Sequence, residues 1–211
     1  MQLNNPSPWT LSYCFLTAGE IHAISVDPKD SDITLNLTVM EQVIGTLVKY
    51  TDSGRYEPFL ADKWIVTNNE KTYKFSIRPG AKFEDGVAIT ADHFERSLKR
   101  NLKLYLERTE PPVFKQLVGW EEFKKGDSDA LGIKAHENNL EFTFSSRPSG
   151  VLEYLSMPYY GVYSDADYGK KGKWIDNKNI TSSGAYAVAG WAKNQVTLKA
   201  NQNWFSIVKG S

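Results

Sequence analysis

The stretch from Glu57 to Phe94 limits what this chain can fold into more than any other. Trp64 and Val66 alternate with polar neighbours, Asn68-Asn69 turns the chain, and Tyr73, Phe75 and Ile77 alternate again. That pattern predicts a β-hairpin with one apolar face. Pro79-Gly80 ends it, and Asp85-Gly86 supplies a second corner, where glycine accepts a positive φ at little cost. Thr90 then stands at the N-cap of a helix, with Asp92 in the first turn where the dipole favours negative charge. Ala91, Phe94, Leu98 and Leu102 form its apolar stripe, while Lys99, Arg100 and Lys103 occupy the C-terminal end. Hairpin, corner and capped helix in succession call for a mixed α/β fold, and they require Phe94 and Leu98 to be buried.

The flanks carry weaker signals. Residues 11 to 16 and 21 to 26 read as short apolar strands around Gly19, ending at Asp27-Pro28. From 35 to 48, Leu37, Met40, Ile44, Leu47 and Val48 fall at helical spacing, so a helix with one buried face is expected. Thr51-Asp52-Ser53-Gly54 is a turn cluster. After Pro111-Pro112, Leu131 to Ala135 and Leu140 to Phe144 make a second hairpin around Glu137-Asn138-Asn139. A short helix is expected from Val151 to Leu155, then a Gly/Lys/Asp-rich loop at 164 to 173. A last hairpin pairs Tyr186–Trp191 with Val196–Ala200.

Composition excludes several kinds of function. The 25 basic residues balance the 25 acidic ones, so no field attracts nucleic acid or anionic lipid. No apolar run reaches the ~18 to 20 residues that a spanning helix needs. Cys14 stands alone, which rules out an intrachain disulfide, and Tyr13 is too bulky for a lipoprotein signal. The first residues lack a charged and an apolar signal region, so either the chain is cytoplasmic or an export signal has been removed. Aromatic residues make up 13%, which suits a large core first and ligand pockets second.

No chemistry-bearing cluster emerges. His22, His93 and His136 lie in different elements, without metal-ligand spacing. Ser182-Ser183-Gly184 lacks the Gly-x-Ser-x-Gly of a nucleophile elbow. Glu121 and Glu122 are adjacent, and adjacent helical residues do not face each other. Lys170-Lys171-Gly172-Lys173 reads as a solvated loop, and the sequons at Asn36 and Asn179 are short enough to arise by chance.

The order of motifs resembles the N-terminal half of the extracytoplasmic solute-binding proteins of peptide ABC transporters, the oligopeptide-, dipeptide- and nickel-binding family. Val26-Asp27-Pro28 is similar to the family's Leu-Asp-Pro, and Gly45-Thr46-Leu47-Val48 to its Glu-Gly-Leu. Asp85-Gly86 and Thr90-Ala91-Asp92 are the most specific matches. Ser183-Gly184-Ala185-Tyr186 and Asn201-Gln202-Asn203-Trp204 resemble the Gly-x-Tyr hairpin and the Asn-Pro-x-Tyr-Trp ending. Most of these residues are architectural: corners, a cap and core.

The resemblance implies a binding-protein lobe built from residues 1–44 and 159–211, with 45–158 as an inserted subdomain of hairpins and helices. Family members run to more than twice this length, so a second lobe is expected to be absent from this chain. It also implies a non-enzymatic module that captures oligopeptides or similar solutes on the periplasmic or extracellular face and works with an ABC permease, without cofactor or metal. By position, Asp32, Ile33 and Thr34 would run alongside a ligand, and Tyr105 and Tyr159 would reach it; for both tyrosines the competing reading is ordinary packing. Two other readings stay open, an extracytoplasmic sensor domain built on the same half-lobe and a hydrolase of peptides or sugars.

A lobe without its partner should uncover apolar surface and a free sheet edge. A symmetric homodimer, by edge pairing or by exchange of the 186–200 hairpin, is therefore expected. Light scattering over a concentration series checks it: a dimeric mass is the expected outcome, and a monomeric mass throughout would show a sealed surface.

Overall fold

A computed structural model describes residues 10–14, 34–105, 111–168, 180–192 and 195–205. In chain order the elements are β1 (Thr10–Cys14), α1 (Thr34–Val43), β2 (Val48–Tyr50), β3 (Tyr56–Pro58), β4 (Ala61–Thr67), β5 (Thr72–Ile77), α2 (Ala91–Tyr105), α3 (Trp120–Lys125), β6 (Ile133–His136), β7 (Asn139–Thr143), α4 (Val151–Ser156), β8 (Tyr186–Ala192) and β9 (Gln195–Ala200). The expected strand at 21 to 26, the loop beyond Tyr168, His22, Asn179 and the Lys170–Lys173 run lie outside the described residues.

Both central hairpins form as the alternation predicts, and they join. Strands pair antiparallel in the order β4-β5-β7-β6, with Tyr73 opposite Phe142 and Phe75 opposite Leu140. Asn138 seals the joint: Ile77 N–H donates to its carbonyl and its Nδ2 donates to the Ile77 carbonyl. The turn of the first hairpin holds Asn68, Asn69 and Glu70 at positive φ, a conformation asparagine tolerates better than most residues. Phe75, Ile77, Leu140 and Phe142 are fully buried. Val66 is not, at 40% exposure, because β4 is an edge strand whose far end outruns its cover.

Helix α2 lies on this sheet with Ala91, Phe94, Leu98 and Leu102 fully buried, as its stripe requires. Its N-terminus carries the return half of a capping box, with an unusual residue at the third helical position. The Thr90 hydroxyl meets His93 Nδ1 at 2.8 Å, and the Thr90 N–H donates to the same nitrogen at 3.3 Å, where Glu or Gln commonly stands. Polar residues of the helix tie it outward. Arg96 grips Asp165 with two hydrogen bonds of 3.0 and 2.6 Å, Ser97 Oγ accepts from the Tyr163 N–H, and Glu95 accepts from the Ala135 N–H.

A second sheet has the order β1-β9-β8. Against it α1 packs Val39, Met40 and Val43, in a cluster with Tyr163, Val196 and Leu198. The helix expected over 35–48 stops at Val43, and Val48 belongs to a strand instead. Gly45 explains the early stop. A Cβ there would collide with Leu60 and come within 2.6 Å of the Ser183 carbonyl. The backbone has left the helix to meet three other segments.

That meeting is a hydrogen-bonded knot. The Gly45 N–H donates to Ser183 Oγ at 2.8 Å, whose proton goes to the Val162 carbonyl at 2.6 Å, while the Val162 N–H donates to the Gly45 carbonyl. Ser183 and Gly184 N–H both donate to the Val43 carbonyl. Glu84, beside the Asp85-Gly86 corner, exchanges bonds with Ser182 in both directions, and Asn203 Nδ2 donates to the Glu84 carbonyl. Asn201 Nδ2 reaches the Gly184 carbonyl. The motifs near 45, 85, 183 and 201 thus converge on one place.

Two titratable groups near the helix cap respond to burial in opposite senses. Burial pushes Asp167 up to about 6, although Thr181 holds its Oδ1 with both N–H and hydroxyl at 2.9 Å; nearby Glu84 adds to the rise. Burial also lowers His93, against the pull of Asp165.

Two outcomes follow for stability. Ser183→Ala leaves the buried Gly45 N–H without an acceptor and should cost about 1–3 kcal/mol in urea denaturation. Gly45→Ala should cost at least as much, and Val87→Thr, at an exposed position, should stay within about 0.5 kcal/mol. For pH, a folded chain that keeps the Asp167 proton up to about 6 loses stability as pH rises from 3.8 to 6. Asp167→Asn should remove that fall. His93 acts oppositely: its charged form is disfavoured on folding, so stability drops as pH falls below 6.5. His93→Gln keeps an acceptor for the cap and should abolish only this second slope.

Candidate ligand-binding groove

The 3-10 turn Pro158–Tyr160 is where the expected site residues can be located, because α1 and α2 both pack against it. Asn101 Nδ2 of α2 donates to the Tyr159 carbonyl at 2.7 Å, and the buried Tyr163 hydroxyl donates to the Pro158 carbonyl at 3.1 Å. Tyr159 is thereby fixed by its backbone, and its side chain lines a concavity of about 570 Å3. Volumes of about 300–1,000 Å3 are typical of small-ligand pockets.

The groove wall comes from three directions. Leu37, Glu41 and Ile44 come from α1 and its last turn, Lys49 and Tyr50 from β2, and Met157 and Pro158 from the segment after α4. Phe59 closes the floor. Trp204 lies 5.3 Å behind it, Trp204 stacks on Phe205 at 4.4 Å, and Arg78 both covers Phe205 and donates through Nε to the Phe59 carbonyl. The Asn201–Trp204 motif therefore supports the groove from behind without lining it.

Two opposite charges stand in this mainly apolar wall. Partial burial holds the Glu41 carboxyl above its usual range. Lys49 faces Glu57 across the β2–β3 pair at 4.0 Å, with both side chains more than a third exposed, so the ammonium is only loosely engaged. Among the described residues, the two aliphatic hydroxyls in the groove's lining are both engaged by backbone: Thr46 Oγ1 donates to the Val48 carbonyl and Ser156 Oγ to the Glu153 carbonyl.

Among the expected contact residues, Tyr159 lines the groove. Asp32 and Ile33 lie outside the described residues, as do the side chains of Thr34 and Tyr105. By backbone, Thr34 opens α1 one turn ahead of Leu37, and Tyr105 ends α2 one turn beyond Asn101. Sequence reasoning missed Glu41, Lys49, Tyr50 and Phe59. One signal was available for Glu41: with Leu37 and Ile44 it repeats at i, i+4 and i+7, a charge set on an otherwise apolar stripe. Among the described residues no group of His, Cys, Asp or Glu could hold a metal ion, and no helix is long and apolar enough to cross a membrane.

Known proteins resemble this chain in sequence and in shape. The dipeptide-binding protein DppE of Bacillus subtilis is 24% identical over 86% of this chain and 34% of its own length. The periplasmic oligopeptide-binding protein OppA of Escherichia coli is 28% identical over 78% of this chain and 31% of its own. The fold matches Listeria monocytogenes OppA bound to peptide with a TM-score of 0.74 at 19% identity, over 87% of this chain and 38% of that one. The pheromone receptor PrgZ matches with a TM-score of 0.74 at 24% identity, over 85% and 38%. The chain thus spans about a third of the length of the curated relatives it matches. The family model covers residues 55–210, from the β2–β3 turn past the last strand, and the chain belongs to the bacterial extracellular solute-binding proteins, family 5.

Proposed function

We propose that this chain is the ligand-binding module of a peptide-type solute-binding protein, which holds its ligand without chemical change for uptake by an ABC permease on the extracytoplasmic side. The observation that carries the reading is the groove at Tyr159, where Glu41 and Lys49 stand in an apolar wall. A short peptide is complementary to it: an ammonium at one end, a carboxylate at the other, side chains between. Thr34 and Tyr105 sit on the two helices that pack against the same turn, which supports them, with Asp32 and Ile33, as further ligand neighbours. Most of the curated relatives are named for dipeptides, tripeptides or oligopeptides, and one is named as a probable deoxycholate-binding protein.

In this mechanism main-chain hydrogen bonds and the two terminal charges give affinity, and apolar surface gives tolerance of side chains. A groove that covers one side of a ligand leaves the other in water, so the chain alone should bind weakly. A sensor reading keeps the same groove and changes only what the occupied protein touches. The pheromone receptor of like fold favours keeping it in view. A membrane-spanning segment beside this region in the parent gene would select it.

Calorimetry with trialanine, its N-acetylated form and deoxycholate tests the proposal. Trialanine should bind in roughly the millimolar range, about −4 kcal/mol. N-acetylation should weaken it, and so should Glu41→Gln or Lys49→Met, each by about five- to tenfold for a lost charge-assisted bond. Equal binding of the blocked peptide would remove the role assigned to Glu41, and unchanged binding by the Lys49→Met variant would remove that of Lys49. Preference for deoxycholate would overturn the peptide reading, and a micromolar constant would overturn the one-sided groove.

A further inference from the structure

A second hollow, of about 450 Å3, lies on the other side of the β2–β3 hairpin, between the outer edge of the four-stranded sheet and the start of α4. Tyr56, Trp64 and Tyr73 line it, with Val151, Leu152 and Glu153 opposite. Each ring is braced by another aromatic outside the hollow. Tyr56 packs on Tyr50 at 5.1 Å, Trp64 stacks on Phe75 at 6.2 Å, and Tyr73 meets Phe144 edge-on at 5.9 Å. Rings held in this way present fixed faces and lose little freedom when something is placed between them.

The charge at the hollow has one sign left over. Glu70 also lines it, but Arg147 takes that carboxylate with contacts of 2.8 and 2.7 Å. Glu153 forms no ion pair with a described residue, and it lies near enough to Tyr56 to help raise that hydroxyl, after burial itself. Three braced aromatic faces and a carboxylate without an ion pair among the described residues suit one class of occupant, because ring faces are negative and attract an organic cation.

We propose that this hollow is a binding site for an organic ammonium group, held between Tyr56, Trp64 and Tyr73 and neutralised by Glu153. It is separate from the groove at Tyr159 and does not depend on the function proposed for that groove. The ammonium could belong to a small quaternary cation or to a lysine side chain. Both share the chemistry, and they differ in whether the charge comes as a free molecule.

An NMR titration of the chain, following the Gly150 and Val151 amides and the Trp64 indole, tests it with choline, its uncharged isostere 3,3-dimethylbutan-1-ol and N-acetyl-lysine methylamide. Saturable shifts with choline or with the lysine derivative are expected, and the better of the two identifies the source. The uncharged isostere should bind about tenfold more weakly or not at all. Glu153→Gln, at an exposed position that leaves the fold intact, should weaken the cation several-fold and leave the isostere unchanged. Trp64→Leu should abolish binding, with unchanged dispersion of the remaining amide resonances as the control that the fold survives. No saturation with either cation, equal binding of the isostere, or indifference to Glu153→Gln would overturn the proposal.

Discussion

The junction between the two sheets, and the groove beside it, depend on the knot at Gly45, Val162 and Ser183. Four stretches far apart in sequence bring backbone groups there that water cannot reach, and each must find a partner inside. Two serine hydroxyls supply most of them. Ser183 accepts from Gly45 and donates to Val162, and Ser182 accepts from the Gly184 N–H while facing the Val43 and Tyr186 carbonyls. No ordinary side chain fits at Gly45, Gly161 or Gly184, where a Cβ would strike neighbouring backbone. The groove inherits its shape from this point. Ile44 and Thr46 flank Gly45 in its wall, and Tyr159 lies three residues before Val162.

The regular elements were legible because their signals are local. The stripe from Ala91 to Leu102 and the alternation at Tyr73–Ile77 depend on spacing alone, and the buried residues match it. The end of α1 was not legible. Leu47 and Val48 sit at helical spacing and are fully buried, yet they are buried outside the helix, at a bend and in β2, because Gly45 has to leave the helix to meet Leu60, Val162 and Ser183. Such partners are set by tertiary approach, which no window of sequence contains. His93 shows the same limit on a smaller scale: Thr90 was readable as a cap, but the imidazole that completes it was not. The groove was least legible. Phe59 reads as one more core aromatic until Trp204 and Phe205 are seen behind it.

Tyr50 and Tyr56 give the two hollows a common wall. They face each other across the β2–β3 pair, 5.1 Å between ring centres, one lining the groove and the other lining the aromatic hollow. A turn of either ring requires the other to move or lose its contact. The hairpin is short and carries Tyr50 at 61% exposure, so this tilted pair adds restraint at the end farthest from the buried Val48.

The pairing of β1 with β9 sets an order of assembly. Thr10 lies opposite Lys199 and Tyr13 opposite Val196, so the first described strand finds its neighbour only after residues 195–200 have been made. The unit between them needs no such wait, since its sheet and α2 share a core of their own. Loop closure grows more costly only slowly with length, and an intervening stretch that has already folded brings the two ends closer. On a ribosome, the middle of this chain therefore matures while its beginning stays unmatched. A fault in the β8–β9 hairpin would strand β1 rather than the part made just before that hairpin.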